Sequence, residues 1–337
     1  MSSWRIYSTR RGKAAFWTAL CLLTVCAGAV SLLAGSVELS PRAVLDALTG
    51  ADTASAAARI VRYTRLPRTC AAMLAGAALA VSGAVIQTVL NNPLASPGII
   101  GVNSGAGLAV ALLCAIAPAA QQYAPLAAFA GALAGVGLIM ILARATGAAR
   151  ITVVLAGVAI SNLFSAGIDA VVTLAPEALN GVTDFRIGGF TGVTMAKIAP
   201  AAGMILVSLL LVCSLAKQME VLALGGDIAE SLGLAVRPVR FALLALAAAL
   251  AGAAVSFSGL LSFVGLIVPH ILRRLVGEES LPLLIGSALG GALFVTVCDL
   301  IARVLFAPFE LPVGIVLAFA GAPFFLWLLF HQRGGRT

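Results

Sequence analysis

The side chains able to do chemistry are few, and they stand at the ends of apolar runs. Arg59, Arg62, Arg65 and Arg68 recur every third residue ahead of one run. Asp299 and Arg303 stand four apart near the end of another, the spacing of an intrahelical ion pair. Grouped guanidinium groups bind carboxylates, so the chemistry on offer is recognition rather than bond cleavage. The six cysteines, Cys21, Cys26, Cys70, Cys114, Cys213 and Cys298, lie inside or at the edge of apolar runs without ligand or disulfide spacing and read as packing residues. His270 stands beside Arg273 and Arg274 with no second His, Cys or carboxylate at ligand spacing, which points to a hydrogen-bonded structural residue and to no metal site. Asp169 is an acid within an apolar run, where a charge is a functional candidate by default, lining a path or capping a neighbour. No G-x-x-x-x-G-K-[ST] phosphate loop occurs, and Gly12-Lys13 belongs to a basic tail, so the sequence shows no nucleotide-hydrolysis motif of its own. The expectation is a non-enzyme without cofactors. A membrane-embedded enzyme would need converging His, Asp, Glu or Cys side chains, and a gradient-driven carrier would need paired carboxylates or broken helices at the midplane.

The elements that must position these residues are helices in a bilayer. Of 337 residues, 61% are hydrophobic and 10% charged, with a mean hydropathy of +1.09; soluble domains are only about half apolar. Runs of roughly 20 apolar residues, each long enough to cross a hydrocarbon core of about 30 Å, fall at 14–35, 69–90, 98–117, 123–143, 151–175, 197–216, 238–258, 260–276, 281–305 and 311–330. They predict an all-α integral membrane protein of about ten transmembrane helices, forming one domain over 14–330 between a basic tail, 1–13, and a short tail, 331–337. The first run follows basic residues as a secretory signal does, but it is too long and lacks an A-x-A cleavage site, so it reads as a membrane helix. Placing the N-terminus in the cytoplasm puts both termini and most of the 21 Lys and Arg on the inner side. The cluster Arg59, Arg62, Arg65 and Arg68 then violates the bias and forms an outward-facing positive patch suited to an acidic partner. The net charge of +8 reflects this topology and not nucleic acid, since no basic patch is interleaved with aromatics. Gly101/Gly105, Gly131/Gly135 and Gly286/Gly290 have small-xxx-small spacing and together predict a tightly packed bundle.

Two polar interruptions stand out. Between the sixth and seventh runs, about 218–236, Asp227 can cap a short helix, Glu230 can reach back to its start, and Gly233 suits its stop. A helix this short does not persist alone and must pack on something, a partner or its own bundle. After the second run, Pro93 and Pro97 stop regular helix. Non-helical backbone at membrane depth is tolerated only against protein or a water-filled cavity, so this segment is a gate or an interhelical turn.

The order of motifs is specific. Arg65-Leu-Pro-Arg68, Asn91-Asn-Pro-Leu-Ala-Ser-Pro-Gly98, Gly101-Val-Asn-Ser-Gly-Ala-Gly107, Leu222-Ala-Leu-Gly with Glu230-Ser-Leu-Gly233, Phe263-Val-Gly-Leu-Ile-Val-Pro-His270, Asp299-Leu-Ile-Ala-Arg303 and Glu310-Leu-Pro-Val-Gly314 resemble the permeases of iron-siderophore, haem and cobalamin importers over about 60–330. The resemblance implies the ten-helix bundle of a type II ABC importer, in the inner membrane, paired with a second copy or a paralogue. It implies two ABC ATPase subunits beneath and a periplasmic or lipid-anchored solute-binding protein that delivers a metal chelate. Carried onto this sequence, Arg65, Arg68 and Arg303 dock the binding protein, and Asn92, Pro93 and Leu94 form the cytoplasmic gate. The coupling helix that enters the ATPase takes Leu224, Gly225, Asp227, Glu230, Ser231, Leu232 and Gly233. Within that family a ferric siderophore is the expected cargo, with haem, a corrinoid or molybdate as alternatives.

Overall fold

The computed structural model describes residues 10–35, 37–145, 150–305, 307 and 309–332. Positions 1–9 and 333–337 of the expected tails, and with them the placement of both termini, lie outside the described residues. Helix is the only regular structure among the described residues, as it must be where a chain without water has to pair every backbone N–H and C=O within its own segment. The order is α1 (Arg10–Leu33), α2 (Pro41–Thr49), α3 (Ala56–Ile60), a π-helical turn (Val61–Arg65), α4 (Leu66–Leu90), α5 (Val102–Ile116), α6 (Ala124–Ala145), α7 (Arg150–Leu174) and α8 (Leu179–Ile187). It continues with α9 (Met195–Ser214), α10 (Ala216–Ala223), α11 (Gly226–Ser231), α12 (Val236–Ser258), α13 (Val264–Val276), α14 (Ser280–Val304) and α15 (Val313–Gln332).

Among the described residues seven helices are long and apolar enough to cross a membrane: α1, the continuous run through α3 and α4, α6, α7, α9, α12 and α14. Of the ten expected runs, two begin with an irregular turn before their helix. The run at 98–117 opens with a 3-10 turn, Pro97–Ile100, and becomes α-helix only after Gly101 at φ 79, leaving 15 residues in α5. The run at 260–276 opens with an irregular turn from Gly259 (φ 65) to Phe263 (φ 65), leaving 13 residues in α13. At 1.5 Å per residue these helices are about 20 Å long, shorter than a hydrocarbon core of about 30 Å.

The bundle is built around α4, whose residues from Ala78 to Leu90 are all buried and which packs on α14, α12 and α13. Glycine permits this packing. A Cβ on Gly76 would lie 2.1 Å from the Gly291 carbonyl oxygen, and one on Gly291 would lie 2.2 Å from that of Gly76, so α4 and α14 touch backbone to backbone. Gly105 of α5 and Gly131 of α6 do the same at 2.3 Å in both directions. Two of the expected small-xxx-small pairs therefore meet each other, while Gly286 and Gly290 face Leu272 of α13. Dispersion between closely approached backbones is the main attraction available where lipid is as apolar as the side chains. At one end, α2 and α3 form a small cap in which Val44, Ala47, Ala58 and Val61 pack with Leu32 and Leu33 of α1. Ser40 and Ser55 cap the two short helices through the N–H groups of Ala43 and Ala58.

Candidate functional site

The chemistry-bearing residues gather at the two ends of the bundle. At the end covered by α2 and α3, α1 stops at Leu33 and leaves carbonyls without intrahelical partners. Arg65 donates to Leu32 O at 2.9 Å, to Leu33 O at 2.6 Å and to Val37 O. Arg303 donates to Ser31 O and Ala34 O, both at 3.2 Å, and to Ser31 Oγ at 2.7 Å. Two cations thus satisfy the negative end of one helix dipole. Asp299, fully buried, holds Arg68 through Nε at 3.1 Å to both oxygens and Nη2 at 3.0 Å, and lies 3.2 Å from Arg303 Nε. Glu310, between α14 and α15, makes a second ion pair with Arg68 at 2.5 Å. A cavity of about 180 Å³ lies between Gly35, Thr64, Arg65, Arg68, Arg303 and Glu310.

The expected exposed basic patch takes a different form. Arg65 and Arg68 are 4% and 6% exposed, and Arg303 is 2%. A repeat of three residues on a helix walks around its axis, so the four cations cannot share one face. Arg59 points outward, Arg62 is half-buried and donates to Ala47 O at 2.8 Å, and the other two turn into the bundle. Their order, Arg65, Arg68 and then the Asp299/Arg303 pair, was legible in the sequence; Glu310 as a partner was not singled out.

The segment after α4 is irregular. Asn91 ends the helix at φ 48, Asn92 Oδ1 accepts the Leu94 N–H at 3.0 Å in an Asx-type turn, and Pro93 is exposed. A second cavity, about 220 Å³, lies deeper in the bundle between Leu79, Ser96, Pro97, Asn103, Ser262 and Phe263. Phe263 occupies the left-handed region, unusual for a bulky residue, and its ring lies over Gly321 of α15, where a Cβ would come within 2.2 Å of Phe263 Cγ. In the sequence Phe263 only opens a family motif and carries no role of its own, because its type reads as one more apolar residue in a span.

At the opposite end, α10 buries Ala216, Met219 and Leu222 in the bundle, whereas α11 projects. Gly225 (φ 118) is its N-cap, without the side-chain cap expected from Asp227, which lies in the first turn where a carboxylate still suits the dipole. Gly233 (φ 84) does end it, with Leu234 N–H returning to Ala229 O at 2.9 Å. Leu224, Ile228 and Leu232, spaced four apart, are 58%, 52% and 63% exposed. Ile228 was not singled out in the sequence, although the spacing was there to find. Glu220 of α10, also passed over, accepts the backbone N–H of Ser280 at 2.8 Å and so caps α14, the helix that carries Asp299 and Arg303 at its other end. His270 packs edge-on against Phe324 at 6.0 Å and its Nε2 has no partner among the described residues, so ring packing rather than a bond from that nitrogen holds it. Among the described residues no group of three His, Cys, Asp or Glu could hold a metal.

A family model, that of the FecCD transport family, matches residues 22–331. The chain belongs to the FecCD transport family. Among its FecCD relatives is the Fe(3+)-citrate import system permease protein YfmE of Bacillus subtilis, 36% identical over 93% of this chain and 94% of that one. The hemin transport system permease protein HmuU of Yersinia pestis is 38% identical over 81% of this chain and 84% of the relative. The iron(3+)-hydroxamate import system permease protein FhuB of Bacillus subtilis is 36% identical over 94% and 83%. The solved structure of an inward-facing metal-chelate type ABC transporter superposes with a TM-score of 0.82 at 28% identity, covering 94% of this chain and 99% of the other. This FecCD chain is therefore a multi-pass membrane protein with the all-helical permease fold.

Proposed function

We propose that the chain is the membrane-spanning permease subunit of an ABC importer that moves a ferric siderophore across the cytoplasmic membrane, driven by two separate ATPase subunits. One observation carries the reading: at one end of a membrane bundle the short helix α11 exposes Ile228, and Leu224 before its cap and Leu232 at its close are exposed beside it. Apolar side chains left in the open on a short projecting helix and at its two ends suit insertion into a groove of a partner. The relatives named for iron chelates and hemin support the cargo class.

On this reading the α10–α11 end faces the cytoplasm, α11 is the coupling helix, and Asn92, Pro93 and Leu94 close the passage on that side. The Arg65, Arg68 and Arg303 end faces outward and receives the solute-binding protein. Burial of the three arginines sets the manner of docking. A carboxylate of the binding protein must enter the cavity beside Glu310, where three guanidinium groups face two internal acids. A second permease copy or a paralogue completes the passage.

The test is topological. A single cysteine at position 228, in a chain lacking the six native ones, is inaccessible to an impermeant maleimide in intact cells and reacts in inverted vesicles. Labelling from outside would overturn the reading.

A further inference from the structure

The stripe of interest lies on α7, which among the seven described spans has the smallest buried share of its apolar window, 17%. One side of α7 packs on α5, on the 3-10 turn before it and on α6: the Gly157 backbone meets Ile99 of the turn, Ile168 is buried, Ser161 Oγ lies 3.2 Å from Ser104 Oγ, and Phe164 lies against Gly135. The free side is not uniformly apolar. Asn162, Ser165, Asp169 and Thr173 follow at steps of three, four and four residues, so they share a face about 80° wide, and all four are exposed. Asn162 lies twelve residues from the Leu174 end, about 18 Å along the axis and close to the middle of a bilayer.

Lipid is a poor neighbour for such a face. An exposed amide and carboxylate against acyl chains have no partners, and among the described residues Asp169 has no ion pair within the subunit. A dry contact of this stripe with the same stripe of a second copy would bury two carboxylates and no cation, since Asp169 is its one charged residue. Water satisfies all four groups. Thr173 is already settled, its hydroxyl donating to the Asp169 carbonyl at 2.7 Å.

Resting on the importer reading, we propose that this stripe is a wall of the water-filled passage and that Asp169 makes the passage favour neutral or cationic metal chelates over anionic ones. Beyond Arg150, Asp169 is the only charged residue of α7. Its field is therefore not cancelled along its own helix. At about 10 Å and the effective dielectric of a protein surface, one such charge separates cation from anion by about 10-fold or more. Trihydroxamate complexes of iron, neutral or cationic, fit this passage, whereas ferric complexes of citrate or catecholates are disfavoured.

The test uses the importer complex in liposomes with the native cysteines replaced and Ser165→Cys introduced. Cationic trimethylammonium-ethyl and anionic sulfonatoethyl methanethiosulfonates are compared, each normalised to its rate with a free thiol in solution. Position 165 should react with both and favour the cation by about 10-fold. The preference should collapse to about two-fold or less with Asp169→Asn and persist with Asp169→Glu. Any effect of Asp169 on the thiol itself cancels in the ratio. A cysteine unreactive to both reagents, or a preference unchanged in Asp169→Asn, would overturn the proposal while leaving ATP-driven import untouched. Loss of ATP dependence would instead remove the importer reading.

Discussion

Arg68 of α4 and Asp299 of α14 meet in a buried ion pair of 3.0 Å, 231 residues apart in the chain, and the same carboxylate lies 3.2 Å from Arg303. One acid thus restrains two cations, and through Arg303 it also holds the end of α1.

Removing that acid leaves two guanidinium groups buried without their shared counter-charge. Asp299→Ala should lower the unfolding free energy by about 3–5 kcal/mol. The check is thermal unfolding of the purified subunit in detergent beside the wild type. A melting temperature within error of the parent would mean the pair contributes no net stability.

Burial also changes how docking should be probed. Arg65→Glu and Arg68→Glu are expected to fail by destabilising the fold, so they test little about the partner. Glu310→Gln is the better variant, because it frees one bond of Arg68 while Asp299 keeps its side chain in place. Affinity for the binding protein should rise by about 5-fold or more, with a steeper dependence on salt. Interferometry at two ionic strengths reads this directly; weaker or unchanged capture would argue that Glu310 does not compete with the partner.

The coupling face makes a different prediction, because its side chains are exposed and their loss costs the isolated fold little. Ile228→Asp and Leu232→Asp should insert and melt like wild type. Each should weaken ATPase assembly by about 10-fold or more, as for central apolar anchors. Leu232→Pro should break the helix and uncouple hydrolysis from uptake. Co-purification and stimulated ATPase rates in liposomes check both, and normal stimulation in all three variants would contradict the role of α11.

Glu220 joins that end to α14. Glu220→Ala should remove a helix cap worth about 0.5–2 kcal/mol, whereas Glu220→Gln keeps an oxygen that can accept the Ser280 N–H. Uptake per ATP should fall in the alanine variant and recover in the glutamine variant. Equal loss in both would assign the effect to charge instead of the hydrogen bond.

The sequence made the membrane class and most helices legible, because apolar runs of spanning length have a single solvent that suits them. It found α5 and α13 but started each about four residues early, since an irregular turn lined by protein keeps the same apolar composition as helix. Gly101 and Phe263 carry the turn in their backbone angles, and the angle of Phe263 in particular is invisible in composition. The arginines were found by type and spacing. Their burial was not, because the partners Asp299, Glu310 and the α1 carbonyls come from more than 200 residues away or from backbone atoms. The coupling segment was located by its polarity, but Asp227 does not cap it, because Gly225 reaches the required backbone without a side-chain bond.

The most direct test is uptake of a ferric trihydroxamate into liposomes holding the permease, its binding protein and its ATPase, against the same assembly whose ATPase lacks its phosphate-loop lysine. The account predicts uptake that follows ATP hydrolysis in the first and stops in the second. Continued uptake by the inactive assembly, driven by an ion gradient alone, would contradict it.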